Sequence, residues 1–101
     1  MLARVELNAI ESRIFMIPSG SMAVIHAIYF ANTTSALRRV RLNLLVSGET
    51  SSTANAMFHD VAIAPNGTLV DATRFRMEEG QRLVGLADAA GVTVTIHGTM
   101  A

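Results

Sequence analysis

The residues of this chain able to do chemistry are three histidines, a histidine–aspartate neighbour pair, two serines around a glycine and two adjacent glutamates. His26, His59 and His97 fall on three separate expected strands, and no two have the short spacing by which a chain offers a pair of metal ligands. His59 and Asp60 are consecutive, and in an extended strand consecutive side chains point to opposite faces, so they are not expected to work as base and orienter. Pro18-Ser19-Gly20-Ser21 lacks the glycines two residues before and after serine that expose a nucleophile on a strand-to-helix elbow, so Ser19 and Ser21 read as turn residues. Glu78 and Glu79 precede Gly80 with no second carboxylate site to work against, and read as solvated charges that discourage edge pairing. The expectation is therefore no catalytic residue, no metal site and no cofactor.

Binding groups are equally sparse. Tyr29 and Phe30 are two of only five aromatic residues, and there is no tryptophan, so they suit a core better than a platform for stacking bases or sugars. All eight basic residues are arginine, balanced by eight acidic ones to a formal charge of zero. That balance removes the electrostatic excess on which non-specific nucleic-acid or membrane binding depends, so neither is an expected partner. Arginine remains charged and forks onto carboxylates when a contact dries, whereas lysine resists dehydration. Arg39 with Arg41, and Arg74 with Arg76, are each two residues apart and so share a strand face. If their strands are neighbours, the four form one patch able to pair with acidic side chains of another subunit.

The elements that must carry these residues are strands. The 101 residues are 50% apolar and 16% charged, enough to drive burial in one domain spanning 1–101. With no cysteine, stability rests on packing. No stretch has the spacing of a long amphipathic helix, while short β-rich runs recur between turn signals about every ten residues, as in sandwiches. Leu2 to Asn8 alternates Ala3, Val5 and Leu7 against Leu2, Arg4 and Glu6, making residues 1–12 an N-terminal arm or an edge strand. Ile14 to Ile17 ends at Pro18-Ser19-Gly20 and predicts a hairpin into Met22 to Ala31. That next run has Val24, Ile28 and Phe30 on one alternation set and Ile25 and Tyr29 on the other, so both faces are expected to be covered. Ile25 and Tyr29 thereby join the four arginines as subunit-interface candidates, a local β-bulge being the alternative account.

Leu37 to Val46 sets Val40, Leu42, Leu44 and Val46 against Arg39, Arg41 and Asn43. Ser47 to Asn55 reads as a long exposed loop and the most mobile segment. Pro65-Asn66-Gly67 predicts a second hairpin, joining Met57 to Ala64 with Thr68 to Met77. Arg82 to Asp88 and Val92 to Gly98 complete seven or eight strands, the last with Val92, Val94 and Ile96 inward. An antiparallel β-sandwich with jelly-roll-like connections buries such a set best.

Met1 to Leu7 carries Arg4 and Glu6 and lacks the apolar stretch of a signal peptide, so the expectation is synthesis in a cytoplasm, and the sequons at Asn32 and Asn66 are set aside. Met22 to Ala31, the longest apolar-rich run, falls well short of the ~20 residues that cross a bilayer.

From Ile17 to Thr34 the layout Ile-Pro-Ser-Gly-Ser-Met-Ala-Val-Ile-His-Ala-Ile-Tyr-Phe-Ala-Asn-Thr-Thr resembles small phage and prophage structural proteins. The Pro65-Asn66-Gly67-Thr68 turn, the Glu79-Gly80-Gln81 turn and the closing Ala90 to Ile96 resemble later parts of the same pattern, which covers residues 14 to 98. Arg38, Arg39 and His26 depart from it. The resemblance implies a β-sandwich virion module in the host bacterial cytoplasm and then the virion, non-enzymatic, and most simply a capsid decoration (cement) protein. Its implied partners are its own copies, as a trimer in the first place, and the major capsid protein or other virion proteins. A tail, neck or fibre-base component is the alternative within that class, and a carbohydrate-binding module the alternative from another class, removable by a flat glycan-array result.

Overall fold

A computed structural model describes residues 1–100 of the chain. Its strands are β1 (Ala3–Leu7), β2 (Ser12–Met16), β3 (Ala23–Asn32), β4 (Arg38–Leu45), β5 (Ala56–Ile63), β6 (Thr68–Asp71), β7 (Phe75–Met77), β8 (Arg82–Ala87) and β9 (Val92–Met100), with one 3-10 turn at Thr53–Asn55. They form two antiparallel sheets, β1-β9-β3-β6 with β7 also on β3, and β2-β8-β4-β5. The all-β sandwich expected from the sequence is the fold observed. The nine strands exceed the expected seven or eight because Thr68 to Met77 is interrupted at residues 72–74, and both halves pair with β3.

With β6 and β7 counted as one interrupted strand, the chain pairs first with last (β1·β9), second with second-last (β2·β8), third with sixth (β3·β6/β7) and fourth with fifth (β4·β5). This is one long hairpin folded over itself, so only β4 and β5 are joined as a hairpin within a sheet. The two hairpins expected at Pro18-Ser19-Gly20 and Pro65-Asn66-Gly67 are instead crossings between layers: β2 and β3 lie in different sheets, as do β5 and β6. The turn chemistry itself is as expected, with Asn66 at φ 57° and the Gly67 N–H donating to Ala64 O at 2.9 Å. Turn residues fix a reversal of direction, and the winding of the whole chain decides which sheet the next strand joins.

Between the layers lie Leu7, Ile17, Ile25, Ile28, Phe30, Val40, Leu42, Leu83, Val92, Val94 and Ile96, all essentially without solvent contact. Phe30 meets Phe58 of the facing sheet edge-on, with ring centroids 5.3 Å apart. One β-bulge corrects the reading of β3. Ile25 pairs with Gly98 and Ala27 with His97, leaving His26 as an extra residue. The slip lets Ala23 and Ile25 before it, and Ile28 and Phe30 after it, all face the core. Gly98 makes the close approach possible, since a Cβ there would lie 2.2 Å from Val24 O.

At one end, the β3–β4 and β5–β6 connections are knitted together by Asn32, 2% exposed. Its Nδ2 donates to Ala36 O (2.9 Å), Ile63 O (3.2 Å) and Ala64 O (3.1 Å), while its Oδ1 accepts from Thr34 N–H (3.0 Å) and Thr34 Oγ1 (2.7 Å). Residues 1–12 are not a free arm: β1 is the edge strand of the first sheet, with Arg4 and Glu6 outward.

Candidate functional site

The outer face of the second sheet carries Arg39, Arg41, Asn43, His59 and Asp60. On β5, His59 and Asp60 together face the single residue Arg41 of β4, because Val61 pairs with Val40 and Phe58 with Leu42. Asp60 takes φ 54°, a left-handed conformation that aspartate tolerates, and the bulge turns both side chains outward. The expectation that His59 and Asp60 point to opposite faces is thus overturned, since it assumed an unbroken strand. Arg41 forks onto Asp60, Nε to Oδ1 at 2.6 Å and Nη2 to Oδ2 at 3.1 Å, and His59 Nε2 lies 3.6 Å from Oδ2. Arg39 Nη1 adds a bond to Asp60 O at 3.3 Å.

The hydrogen bond from Arg41, with its charge, holds the Asp60 carboxyl below the usual aspartate range, and Asp60 in turn raises Arg41. A carboxylate held ionised in a bidentate fork suits a fixed charge pair better than proton transfer. Among the described residues no cluster of three or more histidine, cysteine or acidic groups is disposed to hold a metal ion.

Residues 46–55 fold back across the same sheet. Asn43, outward on β4 yet only 6% exposed, donates from Nδ2 to Ser52 O (2.9 Å) and Asn55 Oδ1 (2.7 Å). Arg82 donates to Glu49 O at 2.7 Å, Ser51 Oγ to Glu11, and Ser52 with Asn55 caps the 3-10 turn reciprocally. The segment expected to be the most mobile is pinned at both ends and along its length. Leu45, which points outward on β4, is buried for the same reason, and Val46, assigned to the inner face by alternation, lies past the end of the strand and is exposed. Between this flap and the open half of the sheet is a pocket of about 180 Å³ lined by Glu11, Arg41, Asn43, Ser52, His59 and Leu86. Beside it a shallower concavity of about 380 Å³, lined by Arg39, Arg41, Asp60, Leu86 and Asp88, opens to solvent.

The arginines expected to form one patch are divided between opposite sides of the sandwich. Arg39 and Arg41 lie on the second sheet, while Arg76 is on β7 of the first, bound to Glu78 at 2.8 Å, and Arg74 is in the break before it. Of the apolar interface candidates, Ile25 is in the core with no exposure, so it cannot meet another subunit. Tyr29 does face outward, 37% exposed, edge-on to His97 at 5.1 Å and beside Val70, which is 50% exposed. Val70 was missed by the sequence reading, although its alternation with Leu69 was the available signal.

No protein-family model, curated protein or solved structure matches this chain.

Proposed function

We propose that this chain is a non-enzymatic building block of a bacteriophage virion, a capsid decoration protein that stabilises the head by packing against its own copies and the major capsid protein. The resemblance of residues 17–34 and of the later turns to small phage structural proteins supports the class. The strand pairing supports it too: a hairpin wound first-with-last into two four-stranded layers is how a jelly roll, a common capsid architecture, is assembled. The observation that carries the reading is the uncovered outer face of the first sheet, where Tyr29 and Val70 stand exposed among small side chains rather than around a cleft. A flat face of this kind binds another flat surface.

The test is composition. Particles from a host producing the phage that encodes the chain are purified, heads are separated from tails, and each fraction is analysed by mass spectrometry. The chain is expected on tailless heads in fixed ratio to the major capsid protein. Recovery with tails alone would move the assignment to a tail, neck or fibre-base component, and absence from every particle would refute a virion role.

A further inference from the structure

We propose that the outer face of the first sheet is a two-fold contact with a second copy of this chain, in which two adjacent rows of side chains exchange partners. The inference puts a two-fold pair in place of the trimer that the resemblance implies, and does not depend on the virion assignment. Strand register defines the rows. Glu6, Thr93, Ala31 and Thr68 stand side by side across β1, β9, β3 and β6, and Arg4, Thr95, Tyr29 and Val70 form the next outward row. Between them lies the inward row Val5, Val94, Phe30 and Leu69, part of the sandwich's own interior.

A two-fold axis lying in the face, across the strands and between the two outward rows, lays each row of one copy on the other row of its mate. Position 4 then meets position 6, so that Arg4 faces the second copy's glutamate and Glu6 its arginine. Tyr29, the largest side chain of the face, meets the smallest, Ala31. The half-exposed Val70 meets Thr68, while Thr95, 9% exposed and held by Arg4, lies under the face and adds little against Thr93. The Arg4–Glu6 pairing is favourable in charge and the Tyr29–Ala31 pairing in size, and every pairing occurs twice, as an isologous contact requires. The face is also partly organised in advance: Arg4 Nε donates to Thr95 Oγ1 at 3.2 Å, and the Tyr29 ring is held edge-on by His97.

This complementarity of the face with its own reversed image selects a second copy over an unrelated partner, for which nothing would require charge and size to alternate between the rows. Four strands about 4.8 Å apart and the two outward rows about 7 Å apart give roughly 270 Å² per copy, about 540 Å² in total, the size of a weak and transient contact. Weak association, with a Kd of roughly several hundred micromolar, is therefore expected, with the Arg4 and Glu6 pairs at the rim fixing register more than affinity.

The experiment is sedimentation velocity on the full chain over a concentration series reaching about 1 mM. The parent is expected to shift from monomer to dimer. Arg4→Glu and Glu6→Arg each place like charges opposite one another at both rims and should weaken dimerisation at least tenfold. An equimolar mixture of the two variants restores opposite charges at both rims and should dimerise like the parent, as should the double exchange R4E/E6R. Both positions are exposed, so the variants should melt with the parent, and the mixture reports pairing whatever each change costs alone. A parent that stays monomeric or forms a trimer, single variants that dimerise like the parent, or a mixture that does not recover would each overturn the proposal. Such failure leaves the particle-composition result untouched, because that readout does not use this face.

Discussion

Replacing Asn32 separates a keystone from a merely polar residue. The amide supplies two hydrogens to the carbonyls of Ala36, Ile63 and Ala64 and accepts twice from Thr34, joining the β3–β4 and β5–β6 connections from a position 2% exposed. At ~1 kcal/mol net for each of four saturating bonds, Asn32→Ala should cost ~4 kcal/mol. That is a large share of the 5–15 kcal/mol typical of such a domain, and corresponds to a fall in Tm of ~20 °C. Asn32→Asp keeps the shape but sets a buried carboxylate against three carbonyl oxygens, so at pH 7 it should cost more than alanine. Burial and those carbonyls raise the introduced carboxyl's folded pKa above its unfolded value, so the folded state binds more protons there, and the deficit relative to the parent should shrink as the pH falls. Urea unfolding followed by circular dichroism at pH 7 and pH 4 reads both effects. A loss below ~1 kcal/mol for Asn32→Ala, or an aspartate variant as stable as the parent at pH 7, would refute the account.

Ile25→Ala should destabilise by ~2–5 kcal/mol while leaving dimerisation, corrected for folded fraction, unchanged, because the residue is core; calorimetry with sedimentation checks both. Gly98→Ala must push a Cβ against Val24 O, now 2.2 Å from where it would sit, and should cost ~1–3 kcal/mol in denaturant unfolding. The Asp60 carboxyl is lowered in the folded state by Arg41, so its contribution is present above the ordinary aspartate range and lost as pH falls through the lowered folded value. Asp60→Asn, which keeps a residue tolerant of φ 54°, should therefore flatten the acid limb of a Tm-against-pH curve, and an unchanged limb would show that the fork adds nothing.

Where a strand runs without interruption, its faces were legible from the order of residues alone. Val92, Val94 and Ile96 alternate with Thr93, Thr95 and His97, and Ala3, Val5 and Leu7 with Arg4 and Glu6, because burial on one side of a period-two chain leaves that pattern. Reading failed where a single residue slipped the phase. The extra His26 moves Ile25 into the core, and the His59–Asp60 bulge brings onto one face two side chains that alternation separates. In β3 the apolar residues on both alternation sets left a second covered face and a local bulge open, and the bulge is chosen by the neighbouring strand and the room that Gly98 gives. At His59–Asp60 composition leaves no signal.

The sequence by itself determined that this is one all-β unit, where its strands and turns fall, and which residues of its regular strands face inward. These are local matters of propensity, turn geometry and alternation. Only the tertiary structure decided that β2 and β3 part into different sheets, that Arg41 and Arg76 stand on opposite sides, and that residues 46–55 lie down over Asn43. It also brought Arg4, Tyr29 and Val70 into one row from strands distant in the chain. Strand pairing is a non-local choice made by the whole core at once, and so is every surface built from it.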